Sequence, residues 1–199
     1  MEQILSSTAT SANDNGQSSG AFMEPERIVR YFELHSGDHV AEFGSGHGYF
    51  VIAMAKAVGG DGKVYAIDIQ KATLDIIRAR AKLDHLLNIE TVWSDLEVLG
   101  GSKIKDGFLE FVLISNVLFQ ADNKSVLLQE AWRVLRIGGR VAVIEWANDK
   151  ETTLGPPPSM RLGKDAVKSL ATDVGFGLDR EFEAGTHHYG LLFVKQKSQ

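Results

Sequence analysis

The sequence predicts an α/β protein with a mainly parallel sheet, and three observations carry that prediction. Short apolar runs typical of strands alternate with longer amphipathic runs typical of helices from about Phe22 onward. A glycine-rich turn, "EFGSGHGYF", joins the first strand to the helix after it. The last two predicted strands follow each other without a helix. Strands that alternate with helices favour a parallel sheet with right-handed crossovers.

The elements follow in a regular order. A helix over "EPERIVRYFEL" comes first, with Pro25 near its start, where helices tolerate proline. The first half then contains the strand "HVAEF", the helix "GYFVIAMAKAV", the strand "KVYAIDI", the helix "KATLDIIRARAKLDHL" and the strand "NIETVW". The second half contains the strand "FLEFVLISN", the helix "KSVLLQEAWRVLR" stopped by Gly138 and Gly139, the strand "RVAVIEW", the helix "KDAVKSLATDVGF" and two strands around Ala184 and Gly185.

Composition limits the classes of protein that this chain can belong to. Its 199 residues are 44% hydrophobic and 24% charged, which is typical of one globular domain. A formal net charge of -5 disfavours a nucleic-acid partner, because Lys and Arg supply most of the binding to phosphates. The sequence has no cysteine for a disulfide, a thiolate metal site or a nucleophile. Neither a membrane span nor a signal-peptide pattern is found, so we expect a cytoplasmic protein.

The start of the chain differs from the rest. Residues 6–20, "SSTATSANDNGQSSG", are small and polar, with almost no large apolar side chains. Such a segment buries too little surface to offset its ordering entropy. We therefore predict a disordered tail over residues 1–20 and a single domain over residues 21–199. The alternative is a tail that folds over a bound ligand.

The glycine-rich turn is the first candidate site. Gly44, Gly46 and Gly48 follow the acidic Glu42 at alternate positions. Three glycines in five residues indicate a backbone requirement, either for a tight strand-to-helix turn or for a loop that admits a ligand. Its position favours a ligand, because a helix start offers free N–H groups and open parallel sheets bind ligands beyond the carboxyl ends of their strands.

Two acidic residues follow the next two strands. Asp68 lies at the end of "KVYAIDI", where an acid accepts hydrogen bonds from a ribose diol or else caps the next helix. Asp95 follows "NIETVW", where it suits the exocyclic amine of a base or else forms a turn. A nicotinamide enzyme would show G-x-G-x-x-G, whereas this chain has G-x-G-x-G and Tyr49 in place of that third glycine.

Together these motifs resemble those of class I S-adenosylmethionine-dependent methyltransferases, and within them the type 11 or quinone-biosynthesis-like subgroup. "AEFGSGHG" is similar to the family motif E/D-x-G-x-G-x-G, Asp68 to the ribose-binding acid, and "SDLE" to the adenine-side motif. The stretch "VLISNVLFQADNKSVLLQEAWRVLRIGGRVAVIEW" resembles the family's fourth strand, helix and fifth strand. The resemblance runs from about Phe22 to the end of the chain.

The resemblance implies a Rossmann-like, doubly wound sheet with strand order 3-2-1-4-5-7-6, in which strand 7 is antiparallel. It implies S-adenosyl-L-methionine as the cofactor, and no metal site is predicted. The cofactor-binding residues that it implies are Glu42, Gly44, Gly46, Gly48, Asp68, Ile69, Asp95, Leu96 and Asn116. The family's N/D-P-P-Y/F motif is replaced by Ser115-Asn116-Val117-Leu118, which disfavours an adenine, cytosine or glutamine amino group as the acceptor.

The antiparallel last strand predicts where a catalytic base would lie. Its amino end is at the edge where the other strands end, so His187 and His188 are expected near Asn116 and Trp146. Strand alternation sends the two histidines to opposite faces. We therefore expect one of them to line the acceptor pocket as a general base, the alternative being that both are structural. Glu145, at the end of the fifth strand, is either a pocket acid or a local cap.

The predicted function is methylation of a small-molecule acceptor. One alternative is an RNA- or protein-directed methyltransferase, which would present a basic surface beside the pocket. Another is a non-catalytic cofactor-binding module, which would have a degraded set of glycines and acids. The absence of cysteine disfavours an arsenite-methylating enzyme, which needs thiols. Arg161 is either a partner for an anionic substrate or a solvated surface residue.

Overall fold

Strands and helices alternate along the chain as the sequence predicts. The computed structural model describes residues 23–148 and 154–197, so the tail predicted over residues 1–20 lies outside the described residues, and the boundary at residue 21 stays a prediction. The strands are β1 (His39–Phe43), β2 (Lys63–Asp68), β3 (Ile89–Trp93), β4 (Leu109–Ser115), β5 (Leu135–Trp146), β6 (Phe176–Glu183) and β7 (His188–Lys195). The helices are α1 (Pro25–Val29), α2 (Tyr49–Val58), α3 (Lys71–Leu83), α4 (Lys124–Val134) and α5 (Lys164–Val174).

The seven strands form one sheet in the order β3-β2-β1-β4-β5-β7-β6. Strands β1 to β5 pair in parallel, and β7 runs antiparallel between β5 and β6. The predicted strand order and the antiparallel last strand are both confirmed. The chain winds outward from β1 to β3 and then returns to β4 on the other side of β1. Open sheets of this kind bind ligands at that reversal, beyond the carboxyl ends of the strands.

Each face of the sheet packs against its own set of helices. Helices α1, α2 and α3 cover one face, where Phe32 stacks on Phe111 with ring centroids 4.7 Å apart. Helices α4 and α5 cover the other face, where Leu127 and Val167 join the core. Burial on both faces explains the continuous apolar run over residues 111–114 of β4, because inner parallel strands have no solvent-facing side.

The junction between α4 and β5 differs from the sequence prediction. The helix ends at Val134 and the strand begins at Leu135, so the helix end expected at Arg136 is wrong. Leu135 is fully buried and pairs with Leu109 before the register shifts, and Gly138 has a φ of 78° within the irregular stretch. The glycines form a bulge inside the strand instead of stopping the helix, because Leu135 gains burial by pairing with β4.

One edge of the sheet collects the segments that the sequence analysis singled out. The carboxyl ends of β1 to β5 meet there, and the pairing of Trp146 with His188 brings the amino end of β7 to the same edge. The glycine turn follows β1 at this edge, and the segments after β2, β3 and β4 lie beside it. The candidate site is therefore built from strand ends that are far apart in sequence.

Candidate active site

The glycine turn between β1 and α2 is tightly packed except at one position. All three of its glycines have positive φ, which glycine adopts readily. A Cβ on Gly44 would overlap Cγ2 of Val117, and one on Gly48 would lie 2.5 Å from Cγ1 of Ile77. At Gly46, apart from its chain neighbours, no described residue comes within 4 Å of the Cβ position. Packing requires the outer two glycines, while Gly46 faces space that a ligand can enter.

Asp68 connects the glycine turn to the end of β2. Its Oδ2 accepts the backbone N–H of Gly46 at 2.8 Å, and its Oδ1 accepts that of Gln70 at 2.8 Å. The N-cap position of α3 is Gln70, so Asp68 is not the cap residue itself. A carboxylate oxygen has two lone pairs, so each oxygen of Asp68 retains one for a donor such as a ribose hydroxyl.

The segment after β3 holds Asp95 in a turn. Its Oδ1 accepts the backbone N–H of Glu97 at 2.9 Å, so the turn-forming role that the sequence leaves open is present. The side chain is exposed, and its carboxylate retains lone pairs for a ligand amine. Leu96, the next residue, is buried in the core shared with α4 and anchors the turn. Both functions of Asp95 are therefore compatible with this geometry.

Two exposed apolar side chains accompany these acids. Ile69 is 60% exposed and Trp93 is 52% exposed. The indole N–H of Trp93 donates to the carbonyl of Ile69 at 2.8 Å and ties the ends of β2 and β3 together. The Nζ of Lys71 lies 3.9 Å from the centroid of the indole ring. Ile69 belongs to the predicted set, whereas Trp93 was missed; its signal is a large aromatic residue in the last position of a strand.

Two polar side chains near the ends of β1 and β4 have buried oxygens without a hydrogen-bond partner among the described residues, Oε2 of Glu42 and Oδ1 of Asn116. Asn116 has a φ of 57°, which is uncommon outside glycine. Burial raises the pKa of Glu42 well above its usual value, although a hydrogen bond from the backbone of Val51 opposes this. Buried acceptors without a partner are costly, so both oxygens suit donors that a ligand would bring.

This arrangement fits S-adenosylmethionine, which has an ammonium group, a ribose diol and an adenine amine as hydrogen-bond donors. Acceptors lie at four neighbouring strand ends, in the order Asp95, Asp68, Glu42 and Asn116 across β3, β2, β1 and β4. The open backbone at Gly46 lies directly against Asp68. The structure therefore brings the predicted cofactor residues to one edge.

Glu145 lies on β5 and is fully buried. The neighbouring backbone N–H of Asn116 donates to the carbonyl of Ile144 at 2.8 Å, so Glu145 lies close to the end of β4. Its Oε1 accepts the N–H of Phe119 at 3.3 Å, and no described residue partners its Oε2. Burial raises its pKa to about 7, although backbone N–H groups after β4 oppose this. The hydrogen bond from Phe119 to Oε1 agrees with a local capping role for Glu145. Because Oε2 has no partner among the described residues, the role of a pocket acid is still possible.

The two histidines have different environments. His188 begins β7, is buried, and has its ring centroid 4.2 Å from that of Trp146. Burial lowers the pKa of His188 to about 4, with smaller effects from the charges of His187 and Arg161. His187 precedes the strand and is half-buried, and its Nδ1 lies 2.8 Å from the hydroxyl oxygen of Thr186. His188 is therefore beside Trp146, as expected, and its imidazole is neutral at physiological pH.

Arg161 is buried, so the solvated alternative is wrong. Its guanidinium donates to the backbone carbonyls of Pro156 at 2.9 Å, Leu154 at 3.1 Å and Ala147 at 3.2 Å. These three carbonyls belong to the connection between β5 and α5. The arginine holds that connection against the end of β5, which the isolated position of Arg161 in the sequence did not reveal.

Comparison with known proteins agrees with this geometry. The family model described as "Methyltransferase domain" matches residues 40–139, which is half of the chain. The chain belongs to this methyltransferase domain family. Its fold and relatives make it a member of the class I S-adenosylmethionine-dependent methyltransferases, and S-adenosylmethionine is the cofactor of that class.

Individual relatives are methyltransferases with different acceptors. The ubiquinone/menaquinone biosynthesis C-methyltransferase UbiE of Francisella tularensis is 31% identical over 117 residues, which are 57% of this chain and 45% of that protein. The arsenite methyltransferase of Aquipseudomonas alcaligenes is 27% identical over 132 residues, which are 60% of this chain and 38% of that protein. The chain thus spans about half the length, or less, of these curated relatives.

A solved structure resembles this chain over most of its length. It is that of a SAM-dependent methyltransferase from Aquifex aeolicus, with 26% identity and a TM-score of 0.80. The match covers 87% of this chain and 90% of that chain. The fold and the order of the strand ends around the candidate site are therefore those of this class of enzyme.

Two kinds of feature are absent from residues 23–148 and 154–197. No helix there combines the length and apolarity needed to cross a membrane. No group of three His, Asp or Glu side chains in those ranges is arranged to hold a metal ion.

Proposed function

We propose that this protein transfers the methyl group of S-adenosylmethionine to a small-molecule acceptor. The observation that carries the proposal is the hydrogen bond from the N–H of Gly46 to Oδ2 of Asp68. It joins an open glycine loop to an acid on the neighbouring strand, and further acceptors lie at the strand ends on both sides. A non-catalytic module would be expected to have a degraded set of glycines and acids, whereas here the set is intact.

Each predicted cofactor residue has a proposed role. Glu42 and Asn116 accept hydrogen bonds from the ammonium group of the methionine part, because one buried side-chain oxygen of each has no hydrogen-bond partner among the described residues. Asp68 accepts from the ribose hydroxyls, and Asp95 accepts from the adenine amine. Apolar contact with the cofactor is the role of the exposed Ile69, and Leu96 supports the adenine side by anchoring the turn of Asp95 in the core. Gly44, Gly46 and Gly48 shape the loop that admits the cofactor.

The sulfonium of a bound cofactor supplies a strong electrophile, so the chain contributes chiefly by positioning the acceptor in line with the methyl group. A base is required only where the acceptor carries a proton at neutral pH. We assign that role to His188, whose neutral ring can take a proton at one of its nitrogens. A base of such low pKa is weak, so it assists the transfer only where the acceptor releases its proton readily.

Three observations support a small acceptor. The chain has a net charge of -5, which opposes binding to RNA phosphates. Relatives are named for ubiquinone/menaquinone biosynthesis and for arsenite, and these compounds are small molecules. The chain has no cysteine to bind arsenic through sulfur, so carbon, oxygen or nitrogen is the proposed acceptor atom. An RNA- or protein-directed enzyme remains the alternative, and a cytoplasmic location stays a prediction.

Calorimetry with the purified protein tests the cofactor first. We expect S-adenosylmethionine or S-adenosylhomocysteine to bind more tightly than NAD, and tighter binding of NAD would contradict the proposal. Incubation with methyl-labelled cofactor and a metabolite extract tests the acceptor. A labelled small molecule supports the proposal, whereas label found only in added RNA or protein supports the alternative. Cofactor binding without any transfer would favour the non-catalytic module.

A further inference from the structure

Helix α4 holds the segment that carries Asp95 through contacts that the proposed roles do not use. Glu130 lies on α4 and is fully buried. Its Oε2 accepts the backbone N–H of Gly100 at 2.7 Å, and its Oε1 accepts that of Ser102 at 2.9 Å. One carboxylate therefore holds the residues on both sides of Gly101.

Arg133, about one turn along α4, keeps that carboxylate charged and in place. Its Nε and Nη2 donate to the two oxygens of Glu130 at 2.9 and 2.7 Å. The same guanidinium donates to the carbonyl of Ile104 at 2.8 Å and to the hydroxyl of Ser102 at 3.1 Å, and it pairs with Asp106. Burial raises the pKa of Glu130, but the hydrogen bonds from Arg133 and the loop outweigh it and lower that pKa to about 2.

Gly101 links the backbone that Glu130 holds to the backbone of Asp95. A Cβ at Gly101 would overlap the backbone oxygen of Asp95, so the two backbones are in direct contact. The hydroxyl of Ser94 also donates to the carbonyl of Gly101. The segment from residue 94 to residue 102 therefore folds back on itself, and holding both neighbours of Gly101 fixes the backbone at Asp95.

We infer that Glu130 is a positioning residue for the adenine side of the cofactor. It acts through Gly101, which fixes the backbone from which the carboxylate of Asp95 reaches the adenine amine. The inference rests on the proposed function, because it requires a bound cofactor that faces Asp95. A carboxylate that only stabilised the fold would have no effect on which base the site prefers.

Two ligands that differ at the group read by Asp95 provide the test. S-adenosylhomocysteine has the exocyclic amine, and S-inosylhomocysteine has a carbonyl oxygen in its place. We expect the unaltered protein to bind the adenine ligand about 10-fold more tightly, since the analogue leaves a carboxylate unpaired. In Glu130→Gln, affinity for the adenine ligand should fall about 10-fold, while affinity for the analogue changes less than about 3-fold.

Two further variants complete the experiment. Asp75→Asn is the matched control, because Asp75 pairs with Arg78 at the same i, i+3 spacing but on the exposed face of α3. It should leave both affinities unchanged. Gly101→Ala displaces the backbone at Asp95 without altering α4, and it should reduce the same preference. This second variant keeps the test decisive if Glu130→Gln does not fold, which circular dichroism would reveal.

The outcomes separate this inference from the proposed function. If the unaltered protein binds neither ligand, the proposed function fails. If it prefers S-adenosylhomocysteine and the folded variants at Glu130 and Gly101 keep that preference, the positioning role is overturned while the proposed function stands. Equal binding of both ligands by the unaltered protein also overturns the positioning role, because Asp95 would then not read the amine.

Discussion

The backbone N–H of Gly46 donates a 2.8 Å hydrogen bond to Oδ2 of Asp68, 22 residues further along the chain. The bond fixes the glycine turn after β1 relative to the end of β2. Hydrogen bonds to a charged acceptor are stronger than those between neutral groups. We therefore expect the loop and the acid to act as one unit, so that a change to either affects cofactor binding.

Asp68→Ala should weaken binding of S-adenosylhomocysteine about 10- to 150-fold, because hydrogen bonds to a charged group contribute roughly 1.5–3 kcal/mol each. Asp68→Asn retains one acceptor oxygen and should lose less. Calorimetry measures both effects, and thermal melting serves as the control for stability. If Asp68→Ala bound the ligand normally and only melted at a lower temperature, the role of Asp68 would be structural, limited to connecting the glycine turn to the end of β2.

Gly46→Val should abolish most cofactor binding, because its side chain would fill the open space beside the loop backbone. Gly46→Ala is the matched control. Both variants carry the strain of a side chain at a φ of 46°, which is larger for the β-branched valine, but alanine fills much less of the space. We expect lower thermal stability for Gly46→Val, so binding of S-adenosylhomocysteine is compared at a temperature where both variants are folded, and it should be much weaker for Gly46→Val. Equal affinities would show that the space at Gly46 is not used by the ligand.

His188→Ala should lower turnover by up to about 10², the low end of the usual contribution of a general base because a base of pKa about 4 is weak, with little change in cofactor affinity. Because the pKa of His188 is lowered to about 4, its ring should remain a proton acceptor down to acidic pH. The part of the rate that depends on His188 should therefore persist through pH 6.5 and fall only as the pH approaches about 4.

His187→Ala is the matched comparison for that experiment, because His187 is adjacent in sequence but lies before the strand and is half-buried. We expect the larger loss at His188. The same pKa predicts that the neutral His188 contributes to stability above pH 6.5, and that this contribution is lost progressively as the pH falls from 6.5 to about 4. If both alanine variants kept wild-type turnover with a true acceptor, neither histidine would be a base.

Glu145→Gln should make the protein more stable at alkaline pH. The pKa of Glu145 is about 7 in the folded chain and 4.5 in its ordinary state, so the folded chain retains a proton that the unfolded chain releases between those values. The free energy of unfolding therefore loses this contribution as the pH rises from 4.5 to 7. Glutamine imitates the protonated acid and should restore up to about 3 kcal/mol at pH 8.

Urea denaturation at several pH values measures that effect. Glu183→Gln is the control, because Glu183 is an exposed carboxyl at the end of β6, which β7 separates from β5. The difference between Glu145→Gln and the wild type should grow from acidic to alkaline pH, whereas that for Glu183→Gln should be small throughout. A constant difference at Glu145 would mean that its carboxyl does not change charge over this range.

Much of the fold was predictable because it depends on local patterns. The glycine spacing indicated a backbone requirement in the turn after β1, and all three glycines there have positive φ. The antiparallel β7, however, followed from the family resemblance and not from periodicity. The start of β5 was missed because burial of Leu135 against β4 decided where helix α4 ends.

The parts of the site that sequence could not predict depend on tertiary burial. Glu130 is the one acidic residue in α4, and only packing reveals that it holds Gly100 and Ser102. The sequence could not indicate the burial of Arg161, because its carbonyl acceptors lie in an irregular connection between β5 and α5 that no local pattern predicts. The spare oxygen of Glu145 is likewise visible only once its neighbours are known.

The strand order has a consequence for how this enzyme can change over evolutionary time. The proposed cofactor contacts come almost entirely from residues 42–96, whereas Trp146 and His188, on the proposed acceptor side, are encoded much later in the gene. Asn116, at the centre of the sheet edge, lies between the two groups. If the proposed roles hold, a recombination event or a cluster of mutations in the part of the gene that encodes β5 to β7 can therefore alter what is methylated and leave the methyl donor unchanged.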